Sequence, residues 1–185
     1  MEYKKIYDEV FNNNKEYNYH VYDKDRYDFV INEIFKNNYN DVIDISSGRG
    51  FLIKYLMEKN QNINITSTDL SKFNDLDINF VQLNLTEKSD YDKITNKYDF
   101  LSCMDVLEHI ELKYIHDIFY FFKSISNNFA ITVANHSDIF SGHELHLIQE
   151  DKLWWDNVFS KYFIIVDSWS GGWKGLLYSY ILKNK

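Results

Sequence analysis

The stretch DVIDISSGRGFLIKY (residues 41–55) predicts a buried strand, a tight turn that contains glycine, and the start of a helix. Its first part is a short apolar run rich in β-branched side chains, which is typical of a central parallel strand. Gly48 and Gly50 mark the turn, and the apolar residues after them recur on one side of a helix. Such a turn lies at the carboxyl end of a strand, where glycine lets the backbone approach a nucleotide. The stretch therefore predicts an α/β domain with a nucleotide or cofactor site, and a structural glycine turn is the alternative.

The composition of this turn favours a ligand that has a cationic end. A dinucleotide fingerprint has glycine at the third position of G-x-G-x-x-G, whereas Ile53 stands there in this chain. Asp44 lies near the end of the predicted strand, where a carboxylate would repel a pyrophosphate and attract an ammonium or sulfonium group. A nicotinamide-dependent oxidoreductase is therefore a distant alternative.

The segment resembles the first motif of class I S-adenosylmethionine-dependent methyltransferases, hydrophobic-hydrophobic-Asp-x-Gly-x-Gly-x-Gly. Asp44, Gly48 and Gly50 match the motif, and Ser46 stands where the family usually has its first glycine. The resemblance implies that S-adenosyl-L-methionine is the cofactor and that Asp44 contacts its methionine ammonium. It also implies close backbone contact at the two glycines and a Ser46 side chain near the methionine tail.

Residues 62–69 predict the second strand, which ends at Asp69. Asp69 follows Gly50 by 19 residues, close to the spacing at which an acid meets the ribose hydroxyls in such folds. A carboxylate accepts two hydrogen bonds at once, which suits a vicinal diol. We therefore predict that Asp69 and the adjacent Leu70 contact the cofactor. The alternative is that Asp69 caps a following helix.

Residues 78–85 predict a third strand, with Asn84 near its end. Related methyltransferases often carry Asp at this point, where it accepts a hydrogen bond from the adenine amine. The amide oxygen of Asn84 can do the same. A turn-forming role for Asn84 is the alternative.

Residues 98–110, YDFLSCMDVLEHI, predict a fourth strand followed by a helix. They resemble the segment after the fourth strand of the same family, so the resemblance spans residues 41–133 and assigns Asp105 to the cofactor site. A helix starting at residue 105 would place Asp105, Glu108 and His109 on one face. Small-RNA 3′-terminal 2′-O-methyltransferases bind a metal through a similar Glu-x-x-Glu-His and a distant His. The alternative is that Asp105 caps the helix and Glu108 favours its dipole.

A histidine-rich loop follows the fifth predicted strand, residues 129–134. It carries His143 and His146, and either imidazole could act as a general base for the acceptor. Together with His109 they are the predicted catalytic residues. The sequence favours a site without a metal, and Glu108, His109 and His143 are the candidate ligands if one is bound.

The rest of the chain predicts a single domain, residues 1–185, with a helical N-terminal cap over residues 1–40 and a Rossmann-like core over residues 41–185. We predict a doubly wound α/β fold with a mostly parallel seven-stranded sheet, helices on both faces and an antiparallel last strand. Leu153, Trp154 and Val158 are predicted to face inward from a helix over residues 149–159. Trp155 is expected to pack, and a place in the wall of the substrate pocket is the alternative. Tyr17, Tyr19 and His20 could close over the cofactor or simply pack at the surface.

Composition narrows the class of function. The chain is 45% hydrophobic and 18% aromatic, which is typical of a globular protein. We expect a cytoplasmic protein, because there is one cysteine, no apolar run long enough to span a membrane and no apparent signal peptide. The net charge of −8 disfavours a general nucleic-acid binder.

The sequence therefore predicts an S-adenosylmethionine-dependent methyltransferase that acts on a small-molecule acceptor. Two alternatives remain, a metal-assisted RNA 2′-O-methyltransferase and a module that binds the cofactor without turnover. The sequence does not indicate the oligomeric state.

Overall fold

The protein is described by a computed structural model that covers residues 3–13 and 24–185. Over these residues it has five α-helices, a seven-stranded sheet and a two-stranded ribbon. The helices are α1 (Tyr3–Asn13), α2 (Lys24–Lys36), α3 (Phe51–Lys59), α4 (Leu112–Ile125) and α5 (Lys152–Tyr162). The main sheet contains β1 (Asp41–Ile45), β2 (Asn64–Asp69), β3 (Asn79–Gln82), β4 (Phe100–Met104), β5 (Asn128–Ala134), β8 (Phe163–Gly171) and β9 (Leu177–Asn184). The ribbon consists of β6 (Ile139–Phe140) and β7 (His143–Glu144).

The sheet has the order β3-β2-β1-β4-β5-β9-β8. Strands β1 to β5 pair in parallel, and β9 pairs antiparallel with both β5 and β8. The predicted fold class, a mostly parallel seven-stranded α/β sheet with an antiparallel last strand, is therefore confirmed.

Each face of the sheet buries its own apolar cluster. On one face, Val42 and Phe100 pack with the inward sides of α2 and α3. On the other face, Ile43 and Leu101 pack with α4 and α5. Because successive side chains of a strand point to opposite faces, the apolar residues on both faces of β1 and β4 require helices on both sides.

Three sequence predictions about local structure are wrong. The strand expected to extend to residue 85 ends at Gln82, so Asn84 lies in a loop. No α-helix starts at Asp105, because Asp105 has a left-handed backbone with φ 56° and residues Leu107–His109 form a single 3₁₀ turn. On α5, Leu153 is 67% exposed rather than inward, whereas Trp154 and Val158 pack against the core and Trp155 is buried in it, as predicted.

Tyr17, Tyr19 and His20 lie outside the described residues. Among the residues that the structure does describe, we find no helix with the length and apolar character needed to cross a lipid bilayer.

Candidate active site

The candidate site lies where the order of the strands reverses. The chain runs outward from β1 through β2 to β3 and then returns to β4 on the other side of β1. The loops that leave β1 and β4 therefore diverge, and a crevice opens at the carboxyl ends of these strands. Asp69 ends β2, and Asp105 directly follows β4. This topology brings together side chains that are far apart in the sequence.

The glycine turn after β1 is held in place by the end of β2. Ser46 donates its backbone N–H to Thr68 Oγ1 at 3.2 Å, and Ser47 donates its own to the Thr68 carbonyl at 2.8 Å. Gly50 has φ +70°, and a Cβ at this position would lie only 2.7 Å from Leu76 Cδ1. A glycine is therefore required at position 50 by both its backbone conformation and the limited space.

Asp69 is buried against the turn and ties it to β2. Its carboxylate accepts hydrogen bonds from the backbone N–H of Gly48 at 2.8 Å and of Leu70 at 2.7 Å. Burial raises the pKa of Asp69 to about 7, although these two hydrogen bonds act in the opposite direction. The carboxylate keeps further acceptor capacity for a ligand, because each of its oxygens has two lone pairs.

Asp44 is buried at the end of β1, and its predicted contact with the methionine ammonium stays a prediction. It is 4% exposed, and its carboxylate accepts a hydrogen bond from Ser102 Oγ at 2.5 Å. Burial raises the pKa of Asp44 to about 7, and the negative charge of Asp69 contributes in the same direction. Asp44 does not line the cavity described next.

A cavity at this edge of the sheet contains most of the predicted cofactor residues. It is closed on one side by α1, which contributes three aromatic side chains. Its lining includes Ser46, Asp69, Leu70, Asn84, Asp105 and His109, together with Tyr3, Tyr7 and Phe11 of α1. The sequence analysis missed the three aromatics, although their four-residue spacing puts them on one helix face.

Arg49, within the glycine turn, links this turn to α1. Its guanidinium donates hydrogen bonds to the carbonyl oxygens of Phe11 at 2.7 Å and Phe73 at 2.8 Å. The aromatic rings of Phe11 and Phe73 stack with centroids 4.0 Å apart. Arg49, which stands between Gly48 and Gly50, thus holds helix α1 against the glycine turn.

Asn84 lines the cavity, but its amide oxygen already accepts two hydrogen bonds. These come from the backbone N–H of Thr86 at 3.0 Å and from its hydroxyl at 2.9 Å. Asn84 therefore forms the turn that was its alternative role. Its contact with adenine stays a prediction.

Glu108, His109 and His146 form the second part of the site. Each can supply one ligand atom, and these atoms all lie within 4.8 Å of one another. Glu108 is completely buried, and its Oε1 accepts a hydrogen bond from the backbone N–H of Ala134 at 2.7 Å. Its Oε2 is also buried and accepts no hydrogen bond from the residues that the structure describes. A buried carboxylate oxygen in this state fits a cation.

The two histidines present the same ring nitrogen to this group. His109 Nδ1 lies 3.2 Å from the Leu145 carbonyl, and His146 Nδ1 lies 2.6 Å from the His136 carbonyl. A carbonyl can only accept, so each Nδ1 carries the proton and each Nε2 keeps its lone pair. Histidines that ligate metals usually have such a partner on the second nitrogen.

Burial keeps both imidazoles neutral. It lowers the pKa of His109 to about 3, and the adjacent His146 contributes to this shift. Burial also lowers the pKa of His146 and raises that of the Glu108 carboxyl well above its usual range. Neutral imidazole is the form that binds a metal, and an imidazole with a pKa of about 3 is a weak general base.

His143 lies apart from this group. It is exposed on β7, and neither the cavity lining nor the group of possible ligands includes it. The sequence predicted that histidines of this loop lie near His109, and His146 does so. Which of them converge depends on how the loop over residues 135–148 folds back on residues 108 and 109, and the sequence does not specify that fold.

Comparison with known proteins gives a consistent structural result. No family model and no curated protein matches the chain. The 1,6-didemethyltoxoflavin-N1-methyltransferase of Burkholderia thailandensis has a TM-score of 0.71 at 16% identity, over 99% of this chain and 87% of that one. The magnesium protoporphyrin IX methyltransferase of Synechocystis, crystallised with S-adenosylmethionine, has a TM-score of 0.68 at 16% identity, over 98% and 96%. The methyltransferase domain of a bacterial Hen1 has a TM-score of 0.65 at 17% identity, over 85% and 97%.

At these identities the comparisons establish architecture, and function is carried by the residues of the site. The chain has the fold of the class I S-adenosylmethionine-dependent methyltransferases.

Proposed function

We propose that the protein is an S-adenosylmethionine-dependent methyltransferase that acts on a small-molecule acceptor. The observation that carries the proposal is the cavity at the carboxyl ends of β1, β2, β3 and β4. In it, Ser46 of the glycine turn, Asp69 and Asn84 follow one another along successive strand ends. This is the order in which the methionine, ribose and adenine parts of the cofactor follow one another.

The residues of this chain would mainly bind and orient. The methyl group of a sulfonium is already activated, so the protein needs to hold the acceptor in line with it. Asp69 would accept hydrogen bonds from the ribose hydroxyls. Leu70 and Leu85 would supply apolar contact to adenine, and His109, which also lines the cavity, would lie near the acceptor.

Three features support a small acceptor. The aromatic side chains Tyr3, Tyr7 and Phe11 line one side of the cavity and make it mostly apolar. The net charge of −8 opposes contact with a phosphate backbone. Two of the similar solved structures are named for small acceptors, magnesium protoporphyrin IX and 1,6-didemethyltoxoflavin.

Titration calorimetry with S-adenosylhomocysteine tests the cofactor. We expect saturable binding to the wild type and a loss of about tenfold or more for Asp69→Ala, since two hydrogen bonds to a charged group are removed. Asp92→Asn, which changes an exposed acid away from the cavity, is the matched control. A preference for NAD, or no binding of the homocysteine compound, would contradict the proposal.

A second function is favoured by the group Glu108, His109 and His146. These residues fit a divalent metal, because a buried carboxylate oxygen and two neutral imidazole nitrogens converge. A bound metal would polarise a hydroxyl group of the acceptor. Metal-assisted 2′-O-methylation of RNA is therefore the alternative, and it requires a local contact that overcomes the negative net charge.

Manganese binding followed by calorimetry separates the two functions. We expect Glu108→Gln to reduce the affinity for Mn²⁺ by about tenfold or more, because one charged ligand is lost, whereas Glu150→Gln, at an exposed acid, should leave it unchanged. Mn²⁺-dependent methylation of an RNA oligonucleotide would favour the alternative. Transfer to small acceptors in the presence of a chelator would exclude it.

A further inference from the structure

The carboxylate of Glu144 joins the two sides of the ribbon loop, residues 135–148. Its Oε1 accepts hydrogen bonds from the backbone N–H of Asp138 at 2.8 Å and of His146 at 3.0 Å. Its Oε2 accepts a hydrogen bond from the Ser137 hydroxyl. Two of these donors precede the ribbon and the third follows it, so a single side chain closes the loop. Hydrogen bonds to a carboxylate are stronger than those to a neutral acceptor.

These bonds fix the backbone that carries the imidazole of His146. Its N–H is held by Glu144, and its carbonyl accepts a hydrogen bond from Gln149 Nε2 at 3.0 Å. Its ring Nδ1 is held by the His136 carbonyl at 2.6 Å. His146 is 4% exposed, and its ring lies edge-on to that of His109 with the centroids 4.4 Å apart. Because the backbone and one ring nitrogen are fixed, the direction of Nε2 is determined.

A second attachment holds the same segment from the other side. The backbone N–H groups of Leu147 and Ile148 bond to the Glu108 carbonyl at 2.7 and 3.0 Å. This contact acts on the residues after His146, whereas Glu144 acts on His146 itself. A variant that lacks the Glu144 carboxylate therefore keeps the loop attached, and we expect it to fold.

We propose that Glu144 is a positioning residue for a divalent cation: by binding the backbone N–H of His146, its carboxylate holds His146 Nε2 in the group Glu108, His109 and His146. Glu144 does not itself belong to this group of possible ligands. The inference rests on the metal-dependent alternative of the proposed function. It adds the residue that makes the third ligand available.

Titration with Co²⁺ alone, followed by the visible absorption of the bound ion, tests the role of Glu144. Glu144→Gln removes the charge and one of the two acceptor oxygens. We expect the affinity for Co²⁺ to fall by about tenfold or more, as is typical of residues that orient a metal ligand. The absorption bands should shift towards those of His146→Ala, because the ion loses the same imidazole nitrogen. Glu150→Gln, at an exposed acid of the neighbouring segment, should change neither.

Ser137→Ala separates the position of the carboxylate from its charge. It removes one hydrogen bond to Glu144 Oε2 and keeps the negative charge. We expect a loss of about threefold in affinity for Co²⁺, in line with a single hydrogen bond, and a band shift in the same direction. Attraction between Glu144 and the cation would instead leave this variant like the wild type, and that result would overturn the inference.

The double variant Glu144→Gln/His146→Ala asks whether Glu144 acts through His146. If it does, adding Glu144→Gln to His146→Ala should change the affinity by less than about twofold, because the two effects are coupled. A further loss as large as that of Glu144→Gln alone would contradict the proposal.

The remaining outcomes also decide. Unchanged Co²⁺ binding by Glu144→Gln would show that the bonds from Leu147 and Ile148 alone place His146, and the inference would fail. If the wild type does not bind Co²⁺, the metal-dependent alternative and the inference both fail, and binding of S-adenosylhomocysteine still decides the methyltransferase function. Circular dichroism checks that each variant is folded, and Ser137→Ala decides alone if Glu144→Gln is not.

Discussion

Two cavity residues, Ser46 and Asp105, adopt left-handed backbone conformations, each with φ 56°. Each such residue costs about 1 kcal/mol or more relative to glycine. Both are retained because their backbone N–H groups are fixed by the neighbouring strands, at Thr68 Oγ1 and the Thr132 carbonyl. Ser46 therefore adopts a backbone conformation that favours glycine, and it also lines the cavity.

At the scale of single residues, Gly50→Ala tests the steric requirement of the turn. Its added Cβ would meet Leu76 Cδ1 at 2.7 Å, and φ is +70°. We expect a loss of about 2–3 kcal/mol in the free energy of unfolding, measured by urea denaturation. Gly142→Ala is the matched control, because φ is +81° and a Cβ there would meet nothing within 4 Å. We expect it to lose only about 1 kcal/mol. Equal losses would show that Leu76 moves aside freely.

The acids Asp44 and Asp69 predict the pH dependence of the ligand-free protein. Burial raises both pKa values from 3.8 to about 7. Between these values the folded state binds more protons than the unfolded state, so stability falls as pH rises from about 4 to 7. Thermal unfolding at a series of pH values should show this decline. Asp69→Asn should reduce it, and Asp92→Asn should not. A wild type that gains stability across this range would contradict the assignment.

At the scale of elements, helix α1 covers one side of the candidate site, and Arg49 binds this helix to the glycine turn. Helix α1 contacts the body through Tyr3, whose hydroxyl lies 3.4 Å from Glu111, and through the bond from Arg49 to the Phe11 carbonyl. Short helices have little stability of their own, so their order depends on such contacts. Helix α1 should therefore detach and unfold locally more readily than the core.

Arg49→Met should loosen α1 without unfolding the sheet. We expect faster hydrogen exchange across residues 3–13, by about fivefold to tenfold, because about 1 kcal/mol or more of docking is lost. Exchange in β1 and β4 should stay the same, and Lys54→Met on α3 serves as the control. Unchanged exchange in α1 would show that the aromatic contacts alone hold this helix in place.

The 3₁₀ turn Leu107–His109 explains why this part of the candidate site was hard to predict. The sequence VLEHI has helical spacing, but the chain cannot continue as a helix from Asp105, because Leu147 and Ile148 donate their N–H groups to the Glu108 carbonyl at 2.7 and 3.0 Å. A helix interior would need that carbonyl for its own hydrogen bonds. The periodicity of a sequence reflects its local preference for helix. Here the segment that contains Leu147 and Ile148, distant in the chain, overrides this preference.

At the scale of the whole molecule, the chain offers a direct test of the single-domain prediction. Its four tryptophans lie at positions 154, 155, 169 and 173, whereas the proposed cofactor site is built mainly from residues 3–110. If the molecule unfolds as one unit, S-adenosylhomocysteine at 100 times its Kd should stabilise the tryptophan-monitored transition by about 2.7 kcal/mol. Circular dichroism should give the same midpoint. A tryptophan transition that does not respond to the ligand would indicate two separately unfolding parts.

The sequence by itself determined the sheet and the edge of the sheet where the candidate site lies. Apolar runs, glycines and the acids that end strands are local signals, so the α/β class, the turn at Gly48 and Gly50, and the placement of Asp69 were predictable. Only the tertiary structure decided which distant side chains and elements come into contact. Arg26 meets Asp105, α1 covers the cavity, and His146 rather than His143 joins Glu108 and His109. The physical reason is that these contacts join segments distant in the chain, and packing and hydrogen bonding of the assembled sheet select them.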